Sequence, residues 1–105
     1  MKNQTLKTLL LLFTFINAYS QDITITGIVK DSLGSPLQYV NVGILNKPIG
    51  TVSNYEGGFS LIIDESILLD TLKVSRLGYK AETVILNESK KIFEITLYEK
   101  NEVLD

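Results

Sequence analysis

Apolar residues recur at every second position through most of this chain, and that habit restricts what it can fold into. Ile23, Ile25 and Val29 alternate with Thr24, Thr26 and Lys30. Val40, Val42 and Ile44 fall on one face of an extended segment, as do Phe59, Leu61 and Ile63. Leu72 and Val74 follow, then a weaker pair, Thr83 and Ile85. Last come Phe93, Ile95 and Leu97, set among Glu94, Thr96 and Tyr98. Successive side chains of a strand point to opposite faces, so the pattern gives strands with one buried and one wet face. No stretch beyond residue 20 carries a helical stripe.

Turn chemistry separates these runs. "DSLGSP" (31–36) gathers Asp, Ser, Gly and Pro, and "NKPIG" (46–50) places Pro48 where its missing N–H costs nothing. "NYEGG" (54–58) supplies residues tolerant of positive φ, "RLGY" (76–79) sets one glycine between two apolar side chains, and "NESKK" (87–91) is polar. Six or seven short strands at this spacing predict a small antiparallel β-sandwich. Its edge strands are expected to carry the lysines Lys80, Lys90 and Lys91, which discourage pairing with other chains.

The first twenty residues stand outside that pattern. Lys2 and Lys7 precede the run Leu9 to Ile16, and Ala18 and Ser20 occupy the −3 and −1 positions of a cut before Gln21. This is the order of a secretory signal peptide, and the run is too short for a membrane span, which needs about 20 apolar residues. Residues 1–20 are therefore expected to be removed. That leaves 85 of the 105 residues for one small domain, with no membrane span in the mature chain. A domain of that size buries only about 60–65% of its unfolded surface.

Composition removes whole classes of chemistry. The formal charge is −2, which offers no basic patch for nucleic acid. Histidine and cysteine are both absent. The usual zinc ligands, the common neutral-pH base, thiol nucleophiles and disulfides all go with them.

The glycine-rich stretch "GTVSNYEGGFSL" (50–61) is the first candidate for a site. A phosphate loop needs a Gly-Lys-Ser/Thr ending or a glycine fingerprint opening a helix, and this stretch has neither. A calcium loop needs several oxygen ligands at alternating positions, and Asn54 and Glu56 are only two. Gly57 or Gly58 at positive φ, turning Phe59, Leu61 and Ile63 into the core, accounts for the composition. Asp64, Glu65 and Asp70 read as solvated acids of a polar connection. Ser32, Ser35, Ser53, Ser60, Ser66, Ser75 and Ser89 have no histidine to activate them, no G-x-S-x-G elbow and no S-x-x-K match. The sequon "NES" at 87–89 matters only in a eukaryotic secretory pathway. No catalytic, cofactor-binding or metal-binding residue is assigned. Tyr39, Tyr55, Tyr79 and Tyr98 are the candidates for surface contact, each offering an apolar ring with a polar tip.

"ITGIVKDSLGSPLQYVNVGILNKPIGTVSNYEGGFSL", "LKVSRLGYKAETVIL" and "FEITLYEKNEVLD" together resemble the carboxypeptidase-D regulatory-like domain. The landmarks are Gly27, Asp31, Gly34, Pro36, Leu37, Val40, Asn41 and Val42, then Gly50, Thr51, Gly57, Phe59, Ser75, Gly78 and Tyr79. The resemblance runs from about Ile23 to the last residue. One departure is that Asn54 and Glu56 stand where the family often has aspartates. The resemblance implies an all-β, transthyretin-like Greek-key sandwich of about seven strands over residues 21–98, with a linker at 99–105.

Similar domains precede the plug and barrel of TonB-dependent outer-membrane receptors in Gram-negative bacteria. The implied function is a non-enzymatic accessory module of the periplasm or outer membrane, with an envelope protein or a receptor plug and barrel as partner. Leu104 and Asp105 match the start of the stretch that leads to the plug in such receptors. A barrel of about eight strands or more does not fit beside the sandwich. The reading therefore expects a receptor N-terminus cut short, with a stand-alone module as the other possibility. A zinc peptidase fails for want of histidine. A carbohydrate- or small-ligand-binding sandwich is the alternative, favoured if exposed aromatics gather on one face.

Overall fold

The computed structural model describes residues 21–100. The expected leader, its cut site and the end of the expected linker lie outside the described residues. Alternation produces seven strands: β1 (Asp22–Asp31), β2 (Asn41–Ile44), β3 (Gly50–Val52), β4 (Gly58–Asp64), β5 (Thr71–Ser75), β6 (Glu82–Ile85) and β7 (Ile92–Leu97). They form two sheets, ordered β4-β1-β7 and β3-β2-β5-β6. The chain crosses between the sheets after β1, β3, β4 and β6, and turns back within the second sheet after β2 and β5. Loops 32–40, 53–57 and 76–81, with the end of β7, share one end of the sandwich, called here the upper end. Loops 45–49, 65–70 and 86–91 share the lower end.

The all-β sandwich matches the expectation, with one difference in strand direction. Four of the five ladders are antiparallel, but β1 and β7 pair in parallel, Thr26 beside Ile92 through Asp31 beside Leu97. Alternation carries no direction. Because β6 ends at the lower end, β7 must start there and run upward alongside β1.

The inward faces are those the alternation marked, except in β6. Ile25, Val29, Phe59, Leu61, Ile63, Phe93, Ile95 and Leu97 from one sheet meet Val42, Ile44, Leu72 and Val74 from the other. Leu37, Val40 and Leu86 close the core from the connections. Burial of each such side chain contributes about 1.5–3 kcal/mol. Gly27 shares the inward face of β1, where a Cβ would lie 2.6 Å from the Phe59 ring and from the Phe93 carbonyl oxygen. The ring of Phe59 thus occupies the place a side chain would take.

In β6, Thr83 and Ile85 do not face inward as expected. Leu72 pairs with Val84, which puts Val84 against the core and leaves Ile85 75% exposed. "TVIL" alternates equally well in either register, and the partner strand decides. The edge lysines also differ. Lys80 precedes β6, and Lys90 and Lys91 precede β7, so none lies within a strand. The exposed edges are instead short, as in β3 and β6, or carry the acids Glu82, Glu94 and Asp64.

Candidate interaction surfaces

The glycine-rich stretch spans β3, a turn and the start of β4, and the turn is closed by its own side chain. Asn54 Oδ1 accepts the N–H groups of Glu56 and Gly58, both at 2.9 Å, and Gly57 N–H donates to the Asn54 carbonyl at 2.9 Å. Gly57 takes φ +78°, whereas Gly58 does not adopt positive φ. The Gly57 carbonyl then accepts Val29 N–H at 2.8 Å, which ties the turn to β1. Asn54 spends its oxygen on the turn, and Glu56 lies exposed beside it.

The three acids are spread along the lower end. Asp64 caps a short 3₁₀ turn, Glu65–Ile67, the one helical piece among the described residues and one the alternation did not mark. The Ser66 backbone N–H, and then its side chain, hold the Asp64 carboxyl below the ordinary range. Asp70 is bonded to Lys47. Among the described residues, no group of three or more acids, histidines or cysteines is arranged to hold a metal ion.

Of the seven serines among the described residues, Ser53 is the buried one. Its Oγ donates to the Leu37 carbonyl at 2.7 Å and accepts Val40 N–H at 2.9 Å. Its backbone accepts Tyr39 N–H and donates to the Val40 carbonyl, each at 3.0 Å. These four bonds fix residues 37–40, including Tyr39 at φ +61°. In the sequon, Asn87 Oδ1 accepts from Ser89 N–H, Ser89 Oγ and Lys90 N–H, so it too closes its own turn.

The four candidate tyrosines, Tyr39, Tyr55, Tyr79 and Tyr98, lie at the upper end. Tyr39, Tyr55 and Tyr98 are exposed. Tyr79 packs against the core with the Arg76 guanidinium 5.6 Å from its ring centre. Two further apolar residues, neither among the expected contact residues, project there. Leu33 is 89% exposed and Leu77 is 97% exposed. Each precedes a positive-φ glycine, Gly34 or Gly78, which was the available signal in "SLG" and "RLG". The last described residue sits here as well, since Lys100 N–H donates to the Gly78 carbonyl at 2.9 Å.

The loops are closed by their own polar side chains, and the exposed tyrosines lie at the upper end of the sandwich. The chain belongs to the CarboxypepD_reg-like domain family, whose model matches residues 25–105. It is 32% identical over 94 residues to the TonB-dependent receptor SusC of Bacteroides thetaiotaomicron, covering 90% of this chain and 9% of that receptor. The chain thus spans about a tenth of its relative's length. Family and relative point to a non-catalytic module. In fold it resembles a chain of the type II cohesin–X-dockerin complex of Acetivibrio cellulolyticus, with TM-score 0.60, 17% identity and coverage of 77% of this chain and 60% of that one. It also resembles 3-chlorocatechol 1,2-dioxygenase of Rhodococcus opacus 1CP, with TM-score 0.53, 12% identity and coverage of 80% and 62%. At such identities the likeness concerns the fold alone.

Proposed function

We propose that this chain is a non-enzymatic accessory module of the Gram-negative cell envelope, the N-terminal extension of a TonB-dependent outer-membrane receptor. The match to a receptor over 90% of the chain carries the reading. Residues 1–20 serve as a cleaved export signal, 21–98 form the sandwich, and 99–105 lead towards the plug and barrel. The working surface is the upper end, where Leu33, Leu77, Tyr39, Tyr55 and Tyr98 lie exposed beside Lys100. Exposed aliphatic residues occur at both ends, Leu69, Ile85 and Ile92 at the lower, but the exposed tyrosines lie at the upper end, and aromatic residues are enriched in protein contacts.

The test places a photo-crosslinking amino acid at position 33 or 77 in cells that export the chain. Receptor plug or barrel polypeptides are expected in the adducts, and a probe at Leu69, exposed at the lower end, should give none. Equal labelling from position 69, or no receptor adduct from either upper position, refutes the reading. The gathering of exposed tyrosines also favours a second reading, a carbohydrate- or small-ligand-binding sandwich. Ligand protection of Tyr39 and Tyr55 from chemical modification would distinguish it.

A further inference from the structure

Backbone polarity alternates along a strand, and on β4 it leaves an unpaired edge. The N–H and C=O of one residue point to the same neighbouring strand, and those of the next residue point to the other side. Thr26 N–H donates to the Lys91 carbonyl on the β7 side at 2.9 Å, and Val29 N–H donates to the Gly57 carbonyl on the β4 side at 2.8 Å. Even residues of β1 therefore face β7, and odd residues face β4. Opposite Gly27, Ile25 and Ile23 stand Phe59, Leu61 and Ile63, whose backbone groups point back at β1. Those of Gly58, Ser60 and Ile62 point the other way, to the open edge. Asn54 takes up Gly58, its Oδ1 accepting Gly58 N–H and its N–H donating to the Gly58 carbonyl. The backbone groups of Ser60 and Ile62 have no hydrogen-bond partner among the described residues.

The side chains along this edge carry one sign of charge. On the outward face Ile62, 62% exposed, stands between Ser60 and Asp64, and Asp22 of β1 lies beside Asp64. Glu65 follows, and Glu56 lies in the turn above. No lysine or arginine occurs between Lys47 and Lys73, and Lys47 is bonded to Asp70. The other long edge, β7, is of mixed charge, with Glu94 bonded to Lys30 and with Lys90 and Lys91 just before the strand. The edges β3 and β6 are only three and four residues long.

We propose that the β4 edge takes up an extended segment of a partner protein in which a basic residue and an apolar one share a face. Lying antiparallel to β4, the segment exchanges paired backbone bonds with Ile62 and with Ser60. Its apolar side chain lies beside Ile62. The residue two places earlier brings a basic side chain to Asp64 and Asp22, and the residue two places later, small and polar, meets Ser60. A second copy of this chain fits less well. Antiparallel pairing of two β4 strands through Ser60 and Ile62 turns on Leu61 and sets Glu56 of one copy next to Glu65 of the other, with no cation in either stretch. Like charges facing each other across strands are destabilising.

The full chain, ¹⁵N-labelled and processed by the producing cell, is titrated with the capped heptapeptide Lys-Arg-Thr-Val-Thr-Ser-Gly and followed by ¹H–¹⁵N NMR and amide hydrogen exchange. Exchange is expected to slow at Ser60 and Ile62, and to stay unchanged at Ile92, Glu94 and Thr96 of β7. Methylating the valine nitrogen, which donates to Ile62, should weaken binding by about tenfold or more. Methylating the threonine nitrogen just before it, which points away from β4, should not. Glutamates in place of the lysine and arginine should abolish binding, and Asp64→Asn, which keeps the capping oxygen, should weaken it by about twofold to fivefold. Absent protection, equal protection on β7, or indifference to valine methylation overturns the added strand. Equal binding of the glutamate peptide, or an affinity unmoved by Asp64→Asn, overturns the basic assignment. Protection of Ser60 and Ile62 without peptide, rising with chain concentration, assigns the edge to a second copy instead. None of these results bears on the receptor contact at the upper end, which the crosslinking experiment tests separately.

Discussion

Replacing Gly57 with alanine should be the most damaging of four glycine substitutions, because two separate costs meet there. Gly57 sits at φ +78°, where a residue with a Cβ is strained by about 1–2 kcal/mol. The added Cβ would also lie 2.4 Å from the Val29 carbonyl oxygen, with Pro36 Cβ at 3.2 Å and Leu37 N at 3.3 Å behind it. That oxygen is backbone and accepts Leu37 N–H at 3.0 Å, while Val29 N–H donates to Gly57 itself at 2.8 Å. Relieving the clash strains or breaks both bonds, each contributing about 0.5–1.5 kcal/mol. The total is about 2–5 kcal/mol. A domain of 80 described residues has roughly 4–12 kcal/mol in all, at about 0.05–0.15 kcal/mol per residue.

Three other glycines separate the causes. Gly34 and Gly78 have φ of +88° and +90° with nothing within 4 Å of a Cβ, so alanine there should show the strain alone, about 1–2 kcal/mol. Gly58 lacks positive φ, and its Cβ would make ordinary contact with the Asn54 side chain at 3.4 Å, so Gly58→Ala should change stability by less than about 1 kcal/mol. Equilibrium urea unfolding by far-UV circular dichroism measures all four, with an unchanged m-value licensing the comparison. Should Gly57→Ala fall within about 1 kcal/mol of Gly78→Ala, the clash with Val29 contributes nothing and the reasoning fails.

Ser53→Ala removes the hydroxyl that joins Leu37 and Val40 and leaves a buried N–H without its partner, a loss of about 1–3 kcal/mol by urea unfolding. Ser60→Ala, on the exposed face of β4, should stay within about 0.5 kcal/mol. The folded Asp64 carboxyl titrates below its unfolded value, so its contribution is fully present above the ordinary aspartate range and fades as pH falls through the lowered value. Thermal melts from pH 7 down to about 2 should therefore fall less steeply on the acid side for Asp64→Asn, which keeps a capping oxygen, than for the native chain; parallel curves would contradict this. Glu94 is lowered by its hydrogen bond from Lys30 and then by that lysine's charge, and Glu94→Gln should flatten the same limb.

Much of the architecture could be read from alternation because burial and period two are the same fact in a half-buried strand. Ile25, Leu61, Val74 and Ile95 were legible for that reason, and so were the turns. What depends on partners was not. The register of β6 is set by Leu72 lying opposite Val84, and the direction of β7 by the end at which β6 stops. Local chemistry left Gly57 and Gly58 equivalent, and the contact with Val29 distinguishes them. Tyr39, Tyr55 and Tyr98 were legible as surface residues, but their meeting at one end with Leu33 and Leu77 follows from the strand order. The open edge of β4 follows from the strand order and has no signature in the strand itself.

The polar loop residues that first invite a search for chemistry are the ones that free the surface for contact. Asp31 Oδ1 accepts the N–H groups of Leu33 and Ser35, both at 2.9 Å, and so shapes the turn that lifts Leu33 into solvent. Asn54 does the same beneath Tyr55, and Ser53 holds the segment bearing Tyr39. Among the described residues no buried side-chain nitrogen or oxygen lacks a hydrogen-bond partner. The two shifted carboxyls, Asp64 and Glu94, are exposed ones that serve a cap and an ion pair. Asp31, Ser53 and Asn54 are thus spent on holding shape, and the residues they hold outward include Leu33, Tyr39 and Tyr55. The side chains at the tips of the upper end are therefore placed by the loop chemistry beneath them, which fixes where those tips stand.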